Sequence, residues 1–444
     1  MKRILRYFLV SVMLVVAAGT VTAQSVKTHK VKKGETIYGI AHAYGITEAE
    51  LRRANPGMES PDYILKKGDK IFVPSSQTPL QVEQPVTTAD DVRQRSIRMG
   101  VMLPLHDKNG EGRRMVEYYR GLLMACDSLK HEGISVDVYA WNTPDDTDIS
   151  ETLAKPEAAQ CDIIFGPLYS RQMEALSAFC QQHGIKLVIP FSINAPQLAY
   201  NSNIFQVYQA PEGLNESTSR RFAEWFKDYH VIIVDCADPN STKGGFTSAL
   251  RQQLESRGAK YSLTSLTSAT TSFASAFSTQ HPNVVVLNSS RPDDLRVAFI
   301  KLKDVTTANA EMKISVFGYA EWMEMAGSQE SNFHKYDMYI PAPYYTNLTQ
   351  YSSQRIAMKY RSNFHQDMSA FTPRLALTGF DHALFFLRGL HKYGATFDGA
   401  AGRFGYLPVQ TPLKFERQGN GGYQNRAFMF VHYKTNGQIE TINY

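Results

Sequence analysis

The sequence predicts an α/β protein with a small module ordered strand, helix, helix, strand ahead of a large body of two lobes, each built on a parallel sheet. Three observations predict this. From Ile97 onward, short runs that are apolar throughout alternate with stretches of helical spacing, and strands of that kind belong to parallel sheets covered on both faces. The alternation runs as far as Leu187-Val188-Ile189 and restarts at Val231, so the body contains two such sets. Residues 28–74 carry their own turn, cap and stop signals. A length of 444 residues allows two or three folded units. A net charge of +5, with Lys and Arg scattered among Asp and Glu, leaves no nucleic-acid footprint.

The chain opens on a targeting pattern. Lys2, Arg3 and Arg6 precede the apolar run Phe8 to Ala18, and Val21-Thr22-Ala23 supplies small residues for cleavage. Residues 1–23 are therefore expected to be a signal peptide that directs export and is removed; an uncleaved anchor is the other reading. The run is short for a membrane span and no second long one follows, so no span is expected in the mature protein. No cysteine near the cleavage site suggests lipid attachment. Cys126, Cys161, Cys180 and Cys236 form no CxxC pair and are too few to staple a body of this size. Buried thiols are the favoured reading over a disulfide, and spacing identifies no pair.

In the small module, Thr28 to Val31 has a strand pattern and Gly34-Glu35-Thr36 a turn and helix start. Ile37, Ile40, Ala41 and Tyr44 then share one helical face. Gly45 stops that helix, and Thr47 with Glu50 forms a capping box for a second, which runs to about Ala54. Asn55-Pro56-Gly57 breaks it, and Leu65 to Pro74 makes a turn and closing strand. On these residues, in this order and spacing, the segment resembles the LysM domain. The departures are Tyr38 and Gly39, where that family often has Trp and Ser.

The resemblance implies binding of N-acetylglucosamine-containing glycan, with peptidoglycan as the partner. A neutral glycan bearing acetamido groups is held by backbone donors and acceptors and by apolar contact in a shallow groove. By position the groove would be formed by Gly34, Glu35, Thr36, Ile37 and Tyr38 on one wall and Asn55, Pro56, Tyr63, Ile64 and Leu65 on the other. Structural roles compete: Gly34 for the turn, Thr36 as a helix cap, Ile37 as core.

Residues 75–95, rich in Gln, Thr, Pro and Ser, are expected to be a flexible linker. The body spans 96–444. Its expected strands are Ile97 to Leu105, Val136 to Trp141, Asp162 to Phe165, Leu187 to Ile189, Val231 to Cys236, Asn283 to Leu287 and Ile314 to Phe317. Helices are expected over Met115 to Leu129, Gln172 to Gln182, Phe246 to Arg257 and from Leu295. The runs DIIFGPLYS (162–170), GIKLVIPFS (184–192), NIFQVYQAP (203–211), VIIVDCADPN (231–240) and GFDHALFFLRGL (379–390), in that order, resemble the type I periplasmic-binding fold of amino-acid-binding proteins. The region from Phe415 to Ile439 resembles its terminal hairpins. One lobe is expected from about 97–210 with 345–390, the other from 211–344 with 391–444.

In such sheets ligands sit at the carboxyl ends of strands. The resemblance implies a cleft ligand held by Leu168, Tyr169, Ser170, Phe191, Ser192 and Asp238, with the serines on a carboxylate and Asp238 on an amine. Ser170 also reads as a helix cap. Phe191 and Ile193 stand where the family has small residues, which counts against an amino-acid ligand.

HExxH, GxSxG, P-loop and SxxK patterns are missing from the sequence. Asp145, Asp146 and Asp148 read as solvated or capping carboxylates, Gly419 to Gly422 as a turn, and Pro341 to Tyr345 as a crossover between lobes. No metal, cofactor or catalytic residue is expected. The expectation is a periplasmic, wall-associated, non-catalytic protein whose body senses a small amino-acid-like ligand or docks a cell-wall synthesis enzyme. The other reading is a solute-binding protein of an ABC-type uptake system.

Overall fold

The structure, a computed structural model, describes residues 27–32, 35–44, 51–52, 54–58, 63, 65–73, 91–146, 148–192, 194–348, 350–400 and 405–444. The chain divides into two compact units, 1–89 and 90–444. The expected signal peptide, the capping box of Thr47 and Glu50, most of the second helix and residues 75–90 of the expected linker lie outside the described residues.

In the small unit, β1 (Lys27–Lys30) pairs antiparallel with β2 (Lys70–Val73), with Lys27 opposite Val73. Between them lie α1 (Ile37–Ala43) and a 3-10 turn, Pro56–Met58. Val31, Ile40, Ala41, Leu51, Met58, Ile71 and Val73 form its core, with Ile37, Tyr63 and Leu65 packed against it. Tyr44, at the end of the predicted apolar face, stays 38% exposed.

The large unit contains two seven-stranded sheets. The first contains β3 (Ile97–Leu103), β4 (Val136–Asn142), β5 (Ile163–Phe165), β6 (Lys186–Ile189) and β7 (Ile204–Gln206), joined through α2 (Gly110–Lys130) and α3 (Met173–His183). After α4 (Pro211–Trp225) the second is built from β8 (His230–Asp235), β9 (Tyr261–Ser265), β10 (Asn283–Leu287), β11 (Ile314–Phe317) and β12 (Met338–Ala342), with α5 (Gly244–Ser256) and α6 (Pro292–Ala308) between strands. The chain then returns through α7 (Tyr351–Phe364) and α8 (Leu375–Tyr393), which lie on the first sheet. β13 (Phe415–Arg417) and β14 (Tyr423–Asn425) add to the first sheet; β15 (Met429–Tyr433) and β16 (Ile439–Asn443) add to the second.

The orders are β4-β3-β5-β6-β7-β14-β13 and β9-β8-β10-β11-β12-β15-β16. Each sheet thus has the doubly wound parallel order, with antiparallel pairing only toward the added strands. Two expectations need correction. The described residues between 391 and 425 do not join the second lobe: Phe397, Tyr406 and Leu413 pack in the first core, β14 pairs in parallel with β7, Tyr423 opposite Phe205, and their rings stack at 4.7 Å. Nor is the end of the tether free, because Val92 is buried and the Arg95 guanidinium grips Asp162 through two hydrogen bonds of 2.8 Å.

α2 and α8 cross closely on the first sheet. A Cβ at Gly121 would overlap the Ala376 carbonyl oxygen, and one at Gly379 the Tyr118 carbonyl oxygen, so the crossing requires glycine on both helices. All four cysteines are free thiols.

Candidate functional site: a loop surface on the small unit and a cavity between the lobes

On the small unit the expected groove residues are largely occupied with one another. The Thr36 hydroxyl accepts from the Gly39 N–H at 3.0 Å and so caps α1. The Glu35 carboxylate accepts from the Lys32 N–H at 2.7 Å and meets His29 at 2.8 Å, and these contacts hold it below the usual carboxylate range. Asn55 is a brace: its amide donates to the carbonyls of Leu51 and Phe72 and its oxygen accepts from the Phe72 N–H. The Tyr63 hydroxyl donates to Asp69 at 3.1 Å, and burial and that carboxylate raise its pKa. Val31 exchanges backbone hydrogen bonds with Asp69 and Gly68, which brings the loop entering α1 beside the turn entering β2. Gly34 and Ile64, and the side chains of Tyr38 and Pro56, lie outside what is described.

In the large unit the carboxyl ends of the parallel strands face a cavity of about 620 Å³ between the lobes. Pro190 and Phe191 follow β6, Val207, Tyr208, Gln209 and Pro211 follow β7, Thr242 and Lys243 follow β8, Tyr319 to Glu321 follow β11, and Pro341, Pro343 and Tyr344 lie at and after the end of β12. The Pro341–Tyr344 crossover therefore lines the cavity as well. α4 presents Leu214, Asn215 and Thr218; α8 presents Thr378 and His382; Thr411 and Asn425 complete the wall of the first lobe.

Of the six residues expected at the cleft, Phe191 lines the cavity, edge-on to Tyr118 at 5.0 Å. The others have different contacts. Leu168 packs against the first core. The Tyr169 hydroxyl donates to Glu111 at 3.1 Å. Ser170 opens a 3-10 turn instead of capping a helix. The Ser192 hydroxyl accepts from the Asn194 N–H at 3.0 Å. Asp238 accepts from the Ser289 hydroxyl at 3.0 Å and lies 3.7 Å from Arg291. Ile193 lies outside the described residues. Asp145 pairs with Arg171 and Asp148 accepts from Ser150, so both carboxylates are committed locally.

The chemistry of the cavity rests on residues that the sequence reading did not single out. His382 is fully buried; its Nδ1 bonds the Tyr118 hydroxyl at 2.9 Å, and burial lowers its pKa to about 3, so the ring is neutral. Among the described residues its Nε2 has no partner, and neither do Thr411 Oγ1, Thr218 Oγ1 or Gln209 Oε1. All four residues line the cavity. The lining charges, Lys243 and Glu321, pair with each other, and Lys243 also lies 4.8 Å from the centre of the Tyr319 ring. The neighbour of His382, Asp381, is turned away from the cavity chemistry: it accepts the backbone N–H groups of Val409, Gln410 and Thr411. Burial raises its pKa to about 7 against those three bonds. One signal was legible, a polar Asp-His pair inside the otherwise apolar run GFDHALFF.

Two doubly wound sheets with a cavity at the carboxyl ends of their strands define a bilobed binding fold. Comparison with known proteins gives the particulars. Residues 29–74 match the family model of the LysM domain. The large unit has a type I periplasmic-binding fold and is similar to the structure of a protein described as a branched-chain amino acid ABC transporter from Rhodospirillum rubrum. That match has a TM-score of 0.50 and 12% identity and covers 78% of this chain and all of that one. Full-length LpoA from Haemophilus influenzae aligns over 79% of this chain and 59% of its own at 14% identity, TM-score 0.48. The C-domain of LpoA, described as a regulator of PBP1A, aligns over 78% and 99% at 13% identity, TM-score 0.46. The comparison with curated proteins returns no match. Among the described residues no helix is long and apolar enough to cross a membrane.

Proposed function

We propose that this is an exported, wall-associated binding protein whose LysM domain holds it on N-acetylglucosamine glycan while its bilobed body senses a small ligand. The observation that carries the first half is the LysM match over 29–74. Backbone groups and apolar surface of the loops at 34–38 and 63–65, with Asn55 and Pro56, would meet the sugar. The side chains of Glu35, Thr36, Asn55 and Tyr63 are already hydrogen-bonded within the module, so they shape those loops and leave sugar contact to the backbone. Removal of residues 1–23 during export belongs to the same reading.

The open cavity favours ligand sensing by the body over a purely structural surface for docking a cell-wall enzyme, which would work with a filled cleft. Tethering raises the local concentration of the sensor at its polymer. The test is retention on purified sacculi of the full mature chain and of a variant lacking residues 24–74. The full chain should sediment with sacculi and the variant stay in the supernatant. Equal retention of both would refute the anchoring role.

A further inference from the structure

The walls of the cavity indicate what it holds. A zwitterionic ligand needs a free cation or a cluster of donors for its carboxylate and an anion or a cluster of acceptors for its ammonium group, because burying either charge uncompensated is costly. Among the described lining residues, the charged side chains are Lys243 and Glu321, and they neutralise each other. His382 is held neutral by burial. The first turn of α4, whose N–H groups would otherwise favour an anion, already carries Glu212.

Much of the remaining wall is apolar: Pro190, Phe191, Leu214, Phe246, Tyr319 and Pro341. Set into it are four hydrogen-bonding atoms without a partner, and Thr218 and His382 are 2% and 0% exposed. Buried polar atoms are almost always satisfied. The side chains that carry these atoms line the cavity, and the atoms themselves are sealed from it, so a small movement of the wall lets water or a ligand in the cavity supply the missing partner. They lie on both sides: Thr218 belongs to the helix packed on the second sheet, His382 and Thr411 belong to the first lobe, and Gln209 lies on the crossover, its amide fixed on the Ala427 carbonyl.

We infer that the cavity takes an uncharged, largely apolar small molecule, such as an amide or alcohol with a hydrocarbon or aromatic body, that hydrogen-bonds to Thr218 and Gln209 on one side and to His382 and Thr411 on the other. This rests on the reading of the body as a ligand sensor and gives the ligand a class. The volume of about 620 Å³ lies inside the ordinary range of small-molecule pockets. Thr218 is a specificity residue here, because its hydroxyl finds no other partner among the described residues.

The test is titration calorimetry on the full mature chain with two matched pairs: N-acetyl-phenylalaninamide and N-acetyl-leucinamide, which are uncharged, against free phenylalanine and leucine. At least one amide should bind a single site, and the free amino acids should give no saturable heat. Thr218→Val and Thr411→Val should each weaken amide binding about 3- to 10-fold, the size of one lost hydrogen bond, with an unchanged or raised melting temperature in the unliganded protein. Amide affinity unchanged in both variants would overturn the site. Saturable binding of phenylalanine or leucine would overturn the ligand class and leave a small-ligand sensor standing. Silence from all four probes would overturn both.

Discussion

At the scale of single residues, His382 has an effect that can be measured. Burial moves its pKa from 6.5 to about 3. As pH falls from about 6.5 toward 3, the unfolded chain therefore takes up a proton that the folded protein refuses, and stability falls with it; above that window the neutral ring costs nothing. Asp381, shifted from 3.8 to about 7, acts with the opposite sign over much of the same range, since its folded form holds the proton and stability falls as pH rises. Comparison with a His382→Gln variant cancels Asp381 and isolates the histidine. The unfolding free energy at pH 7 minus that at pH 5, from urea titrations, should be algebraically lower in the variant by about 1 kcal/mol or more, about one pKa unit's worth. An equal difference would mean that the ring titrates normally and is not sealed. The Asp-His pair is visible in the sequence as polarity within an apolar run, a signal the sequence reading did not use. The orphan status of Thr218 and Thr411 did not, because whether a hydroxyl finds a partner depends on chain brought in from elsewhere.

At the scale of elements, the α2–α8 crossing sets the position of that wall. Gly121 and Gly379 let the two backbones touch, and Tyr118 on α2 reaches His382 on α8 across the same contact. Gly379→Ala should force the helices apart and cost the large unit about 1 to 3 kcal/mol, as overpacking of a tight interface does. An unfolding free energy from urea titration within about 0.5 kcal/mol of wild type would show that the crossing relaxes freely. Legibility at this scale followed burial. β10 and β11 are buried along their whole length, each with one polar residue in an apolar run, and were read to the residue. β9 was not seen: it is an edge strand with a half-exposed pattern, and its Leu263 is 62% exposed, so no apolar run marks it. β12 was read as part of a crossover because Pro341 sits in it; the proline falls at the end of the strand, opposite Phe430.

At the scale of the whole large unit, the chain passes between the lobes after β7, after β12 and after β14. Sequence order alone assigned the last of these passages too early, since a hairpin region of four short strands reads the same whichever sheet each hairpin joins. A chain ending at residue 425 would lack β15 and β16, and with them Met429, Phe430, Val431 and Tyr433, all buried against the second core. Each such side chain contributes about 1.5 to 3 kcal/mol on burial, and their sum rivals the net stability of a typical domain. That truncated chain should bind a dye for exposed apolar surface strongly and lose the cooperative unfolding of its second lobe, whereas a two-state transition like that of the intact chain would refute the argument.

The same weave of strands sets a timetable. The first sheet waits for β13 and β14, and the second for the residues after 428, so neither lobe is finished until nearly the whole polypeptide has been made. Contacts that bridge such long stretches form late and slowly. During synthesis the ribosome therefore releases a chain in which neither half has been completed, and both lobes close only after release.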